Sequence, residues 1–249
     1  MRKYPHLNNA PISECLIDFR VKFESEIHAE IFESLESKFK NKYPNVEKIR
    51  RFETKLEIDK EGKGVFHTDK DLGLEGFIFK SSDNKRLVQF RINGFTFNKL
   101  KPYTEWGEII TEARRLWEEY VNIAKPKYIT RLATRYINHI KIEKSLIDIS
   151  EYLTAPPLLP SELKFKLSSF LSKNVIHDSE TSISANITQG LEEDISKNFF
   201  RLILDIDCYI VTEIDPLSDN IWTSFEELRN MKNRIFFSSL KKEKLEELK

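Results

Sequence analysis

The chain has 249 residues, 40 of them basic and 40 acidic, with 40% hydrophobic and 12% aromatic content that includes 18 Phe. That composition excludes a disordered chain and is enough to bury a sizeable core. Zero formal net charge excludes a surface that tracks nucleic acid or anionic lipid as a whole, and leaves room for a local basic patch.

The first residues, Met-Arg-Lys-Tyr-Pro-His-Leu-Asn-Asn, contain no apolar core of a signal peptide. No stretch approaches eighteen apolar residues, so no membrane partner is expected and the chain reads as cytoplasmic. Residues 12–23 then alternate, with Cys15, Ile17, Phe19, Val21 and Phe23 opposed to Glu14, Asp18, Arg20 and Lys22, the pattern of a strand with one buried face. Residues 26–40 change to helical spacing through Ile27, Ile31, Leu35 and Phe39, and Pro44 follows. Alternation returns at 50–58, a turn is expected at Glu61-Gly-Lys-Gly64, and short strands at Val65-Phe66 and 74–80 continue a meander.

Residues 86–100 hold the strongest local signal. Asn93-Gly94 separates two β-patterned runs, and this dipeptide favours a two-residue type I′ hairpin because both positions need positive φ. That turn pairs Ile92 with Phe95, Arg91 with Thr96, Phe90 with Phe97 and Gln89 with Asn98, giving one apolar face and one face of Gln89, Arg91, Thr96 and Asn98. A helix over 105–123 follows, with Thr104 as expected N-cap and Trp106, Trp117 and Tyr120 on its packing stripe.

The second half repeats the order of elements without a residue-level repeat. A long strand is expected at 128–142, a Pro-rich connection through Pro156, Pro157 and Pro160, a weak helix around 161–172, and strands at 181–189 and 199–211. Ser224-Phe-Glu-Glu227 reads as a capping box, and Ser238-Ser239 as the break before a charged final segment, 240–249. Cys15 and Cys208 both fall at inward strand positions and read as small buried hydrophobes.

The fold expected from this grammar is α+β. It consists of two pseudo-repeated strand–helix–antiparallel meander–helix units, 1–125 and 126–249, integrated in one globular domain. Helices cover one face of a saddle- or cradle-like sheet of the TATA-binding-protein-like or helix-grip-like kind.

Chemistry-bearing residues are few. Gln89, Arg91, Thr96 and Asn98 suit hydrogen bonding to a polar edge or a backbone, or form an ordinary solvated face. Arg131, Arg135, His139 and Lys141 share one parity of the 128–142 strand; they suit an anionic partner, or pair with carboxylates of neighbouring strands such as Asp205 and Asp207. Asp205 and Asp207 are themselves two apart on one face, a weak pattern for a metal-dependent hydrolase or nuclease. No phosphate-binding glycine loop occurs, the five His show no ligand spacing, and two Cys give almost no support to a zinc site, so no cofactor and no metal are expected.

Three segments together, Tyr4-Pro-His-Leu-Asn-Asn-Ala-Pro-Ile-Ser-Glu14, Gly94-Phe-Thr-Phe-Asn-Lys-Leu-Lys-Pro-Tyr-Thr-Glu-Trp106 and Arg135-Tyr-Ile-Asn-His-Ile140, carry a resemblance over nearly the whole chain. The chain resembles a sporadically distributed, uncharacterised family of bacterial and archaeal proteins of about this length. The resemblance implies polar signature positions at Asn9, Glu14, Asn98, Tyr103, Arg135 and Asn138. Asn138 and Arg135 have opposite parity on a regular strand, so Asn138 is expected to hold the backbone of 4–11 rather than share a ligand with Arg135. The family's patchy distribution is like that of mobile or host-defence genes. It implies no reaction.

These readings lead to a non-enzymatic binding or regulatory protein whose open polar sheet face receives a protein or nucleic acid. The alternatives are a small-molecule sensor with a pocket between the two units, and the metal-dependent hydrolase or nuclease using Asp205 and Asp207.

Overall fold

The computed structural model describes residues 4–58, 65–143, 148–160, 162, 167–194 and 198–249, and the side chains of all of these except 55–58 and 65–69. Among them are nine strands and four α-helices. The strands are β1 (Ile12–Lys22), β2 (Asn45–Ile58), β3 (Val65–Lys80), β4 (Arg86–Arg91), β5 (Gly94–Leu100), β6 (Tyr128–Glu143), β7 (Phe170–Asp178), β8 (Ile183–Asp194) and β9 (Phe199–Ile214). The helices are α1 (Leu35–Phe39), α2 (Trp106–Ala124), α3 (Asn220–Ser239) and α4 (Lys242–Glu247).

All nine strands join one open antiparallel sheet in the order β2-β3-β4-β5-β1-β6-β9-β8-β7. The β1–β6 ladder runs through its middle, so the two halves of the chain share one sheet. The alternation of β1 decides which face is covered. Cys15, Ile17 and Phe19 are fully buried, and Phe19 stacks on Trp117 of α2 at 4.0 Å and meets Phe225 of α3 at 5.1 Å. Phe90, Phe95, Tyr136, Leu204, Ile206 and Cys208 continue this buried layer across the neighbouring strands. The three aromatic residues of α2 are packing residues, as its stripe predicts. Trp117 donates to the Pro216 carbonyl and Tyr120 to the Arg91 carbonyl.

Several local expectations are corrected. The hairpin connection is Ile92-Asn93, not Asn93-Gly94, and pairs Arg91 with Gly94, Phe90 with Phe95, Gln89 with Thr96 and Val88 with Phe97. The tip is set by its neighbours: Ile92 N–H donates to the Glu75 carbonyl, and Val21 N–H donates to the Asn93 carbonyl. Gly94 serves close packing, because a Cβ there would fall 2.0 Å from the Phe19 carbonyl oxygen. The shift is two residues, so every side chain keeps its predicted face.

The helix expected at 26–40 is a 3-10 turn, Ala29–Phe32, followed by the single turn of α1. Bent in this way, it seats Phe32 against Tyr120 and Phe39 against Phe79. β2 and β3 run longer than their periodicity predicts. The expected turn at 61–64 lies outside the described residues, as do 161 and 163–166 of the expected 161–172 helix, whose residues 170–172 open β7 instead. The α2 N-cap is Glu105 rather than Thr104, with no side-chain cap bond. α3 starts at Asn220, before the predicted capping box, and Ser224 Oγ donates back to the Asn220 carbonyl. It ends at Ser239 as the Ser pair predicts.

Candidate functional site

The parity opposite Phe19 forms the face of the sheet that no helix among the described residues covers. From β4 to β8 it presents Gln89 and Arg91, then Thr96 and Asn98, then Glu14, Asp18 and Arg20, then Arg131, Arg135 and His139, then Asp205 and Asp207, then Asn186. Asp18 is the hub. Only 6% of the residue is exposed, and its Oδ1 accepts from Thr96 Oγ1 at 2.6 Å and Arg91 Nη2 at 3.1 Å. Its Oδ2 accepts from Arg131 Nη1 at 3.3 Å, and Arg20 lies at the same distance. Arg91 thus reaches across β5 to β1. Arg91 Nη1 also donates to Gln89 Oε1, whose amide donates to Asn98 Oδ1, and Asn98 Nδ2 donates to Glu14.

Arg131 carries the network past the centre. It donates to both Asp207 oxygens, at 3.1 and 2.9 Å, and lies 4.6 Å from the Tyr209 ring. Asn186 Nδ2 donates to the same carboxylate. Arg135 makes a separate bidentate pair with Asp205, at 2.8 and 2.5 Å. Burial pulls the Arg91 guanidinium below its usual range, opposed by Asp18, while the hydrogen bonds it donates to Asp205 raise that of Arg135.

All seven expected binding residues therefore lie on one face, and six of them join its hydrogen-bonded pairs. Gln89, Arg91, Thr96, Asn98 and Arg131 belong to one network and Arg135 to an adjoining pair. His139 stands apart, beside Lys101, Lys141 and Lys244 in a cavity of about 510 Å³. Burial lowers its imidazole, and Arg201 adds to the effect.

Asp205 and Asp207 face the same way as expected, but both are taken by guanidinium groups. Among the described residues, no group of three His, Cys, Asp or Glu side chains is placed to hold a metal ion. Among the same residues, no helix is long and apolar enough to cross a membrane. Both thiols are free and buried, and burial pushes each up to about 12, which leaves neither as a ready nucleophile.

A second region escapes the sequence reading. The extended segment 4–11 lies over α3 as a strap, tied by Tyr4 stacked on Phe237 at 4.8 Å, Asn9 N–H to the Leu248 carbonyl, and His139 N–H to the Pro11 carbonyl. Asn138 does not hold it: its amide donates to the Leu204 carbonyl at 2.9 Å, on the face opposite Arg135. Beneath the strap is a cavity of about 240 Å³, lined by Lys232, Arg229, Asn233, Asn138 and Tyr103 among aromatic and aliphatic groups. Arg91 and Arg135 line neither this cavity nor the larger one.

Lys232 is 8% exposed. Its Nζ sits 3.8 Å from the Tyr136 ring centroid and donates to Asn233 Oδ1 at 2.6 Å. Burial lowers its ammonium to about 8. The readable signal was its place on the α3 stripe, four residues from both Leu228 and Phe236, where an apolar residue belongs.

No family model matches the chain, and no curated protein matches it either.

Proposed function

We propose that the chain is a non-enzymatic binding module whose uncovered sheet face receives a folded protein. The observation that supports this most is the pairing on that face. Arg91, Arg131, Arg135 and Arg201 each already contact Asp or Glu, so a nucleic-acid backbone would have to displace carboxylates and would meet their repulsion. A protein surface carrying both signs of charge meets no such penalty.

The β7 side of the same face adds apolar area. Val211 is 74% exposed, Val175 63% and Leu171 80%, and their register puts all three on the face of Asp207. Among the described residues, β7 is also an edge strand with one ladder side unpaired. Such a mixed apolar and charged surface suits a partner with a small apolar centre and a polar rim.

The finer reading of the fold belongs to the same proposal. In each half the first strand, β1 or β6, pairs with the last strand of its meander, β5 or β9, which supports reading the halves as pseudo-repeats of a cradle.

The test is capture from the native host with the chain itself as bait, with and without nuclease, followed by mass spectrometry. A protein recovered by the native chain, retained after nuclease, and reduced about tenfold or more by the combined Leu171→Glu and Val211→Glu substitutions is expected. Recovery that is equal with the folded variant, or that disappears with nuclease, overturns the proposal.

A further inference from the structure

The cavity beneath the strap shows what it would hold through what its wall lacks. Acidic and basic residues are equally numerous in the chain, yet among the described residues no Asp or Glu lines this cavity, while Lys232 and Arg229 both do. Arg229 has an outlet, since it contacts Glu226 at 3.3 Å and lies over the Trp106 ring. Lys232 has none. Its contacts are one amide oxygen and one aromatic face, so its charge is buried without a carboxylate. Beside it, the Tyr136 hydroxyl is buried with the Cys15 thiol and the Tyr103 phenol as its polar neighbours, and no carboxylate is among them. A buried cation with no carboxylate beside it is costly to folding unless another function retains it.

The rest of the wall is apolar. Phe236 and Phe237 of α3 and Tyr4, Leu7 and Ile12 of the strap and β1 enclose one side, and Asn138 and Asn233 supply amides. That is the usual composition of a small-molecule site: an apolar body with a few convergent polar groups. We propose that this cavity binds a small organic acid, its carboxylate on Lys232 and its apolar body against the Phe236 and Phe237 side. The inference is independent of the sheet-face reading and uses none of its residues.

The ammonium at about 8 gives a signature for such a ligand. In the free protein at about pH 9 the amine is mostly neutral, and a bound anion raises its proton affinity, so binding draws in a proton. The titratable and charged neighbours are Cys15 on β1, Tyr136 on β6, Cys208 on β9, Arg229 on α3, Tyr103 before α2, and Tyr4 and His6 on the strap. Burial holds both thiols and Tyr103 at about 12 and Tyr136 well above its ordinary value, so these four stay neutral at that pH.

Calorimetric titration of the whole chain with phenylacetate, its neutral analogue phenylacetamide, and inorganic phosphate tests the proposal. Phenylacetate is expected to bind about tenfold or more tighter than either of the others, and Lys232→Met to erase the advantage over the amide. Titration in buffers of different ionisation enthalpy at about pH 9 is expected to show uptake approaching one proton, lost in Lys232→Met. Equal affinity for acid and amide overturns the proposal, as does no detectable phenylacetate binding at about 10 mM. Phosphate binding as tightly as phenylacetate overturns the organic-acid class. Proton uptake that survives in Lys232→Met would belong to another group and overturns the assignment to Lys232. The acid–amide comparison and the proton count on the native chain decide the matter without any variant.

Discussion

The sheet face and the strap cavity treat cations in opposite ways. On the face, Asp18 alone gathers Arg91, Arg131 and Arg20, and Asp207 and Asp205 complete the series. Under the strap, Lys232 is buried as deeply as Asp18 and faces an amide and a ring. Antiparallel strands explain the first arrangement. Adjacent strands place same-face residues within reach of their opposite and diagonal neighbours, so opposite charges on β1, β6 and β9 find one another through register alone. A helix laid on a sheet supplies no such register, and a lysine on its inner stripe meets whatever the sheet presents. Pairing on the face is thus a property of the ladder, whereas the unpaired ammonium needs another reason to persist.

The largest effect is expected at the hub. Asp18→Ala leaves Arg91, whose side chain is 14% exposed, without its carboxylate, and removes one of the two acids on Arg131. Stripping a buried pair of one partner costs about 3–5 kcal/mol, read as a lower urea midpoint at unchanged slope. Removing Arg91 at the same time, as Asp18→Leu with Arg91→Met, is expected to recover most of that loss. A loss below about 1 kcal/mol for Asp18→Ala would show that the face network is solvated and would end the contrast with the cavity.

The difference between the regions also explains how much the sequence reveals. Alternation in β1 and in 86–100 identified both faces of the sheet, because one side is buried along its whole length, and a two-residue slip of the hairpin does not alter parity. The same parity argument put Asp205 and Asp207 within reach of Arg131 and Arg135. Patterning fails where neither face is buried. Residues 51–54 and 70–72 are exposed, and so is most of β7, so the alternation at 50–58 marks a strand without a buried face there, and 70–72 and β7 were not read as strands. Lys232 was hidden for a different reason. Its spacing of four from Leu228 and Phe236 puts it on the α3 stripe, but a lysine there also reads as the stripe's polar edge, and the packing of α3 on Tyr136 decides that it is inside.

The second effect has the opposite sign. Lys232→Met removes a buried ammonium and is expected to stabilise the ligand-free protein by about 1–3 kcal/mol at pH 7. The folded-state value, about 8, is below the ordinary lysine value, so the unfolded chain binds more protons between the two. The penalty is fully present below pH 8 and disappears as pH rises toward the ordinary value. The advantage of the methionine variant should therefore shrink between about pH 8 and pH 10, measured as the difference in urea midpoint across that range. A variant less stable than the native chain at pH 7, by the same amount at pH 10, would mean that the ammonium is satisfied where it sits.

The smallest effect tests whether burial or pairing sets the energetics of the face. Arg135 and Asp205 have the best geometry of any pair there, bidentate at 2.8 and 2.5 Å, yet the Arg135 side chain is 43% exposed. Exposed pairs contribute about 1 kcal/mol or less, because water screens the attraction and ordering two long side chains offsets it. Arg135→Gln is expected to lower stability by no more than that, and the difference should narrow further in about 1 M salt. The Asp18 variant should respond far less to salt, since its carboxylate is shielded from ions by the strands around it. If Arg135→Gln instead matched Asp18→Ala in both size and salt response, good geometry rather than depth would govern the network. The face would then be one rigid lattice from β4 to β9, not a buried hub with a solvated margin open to a partner.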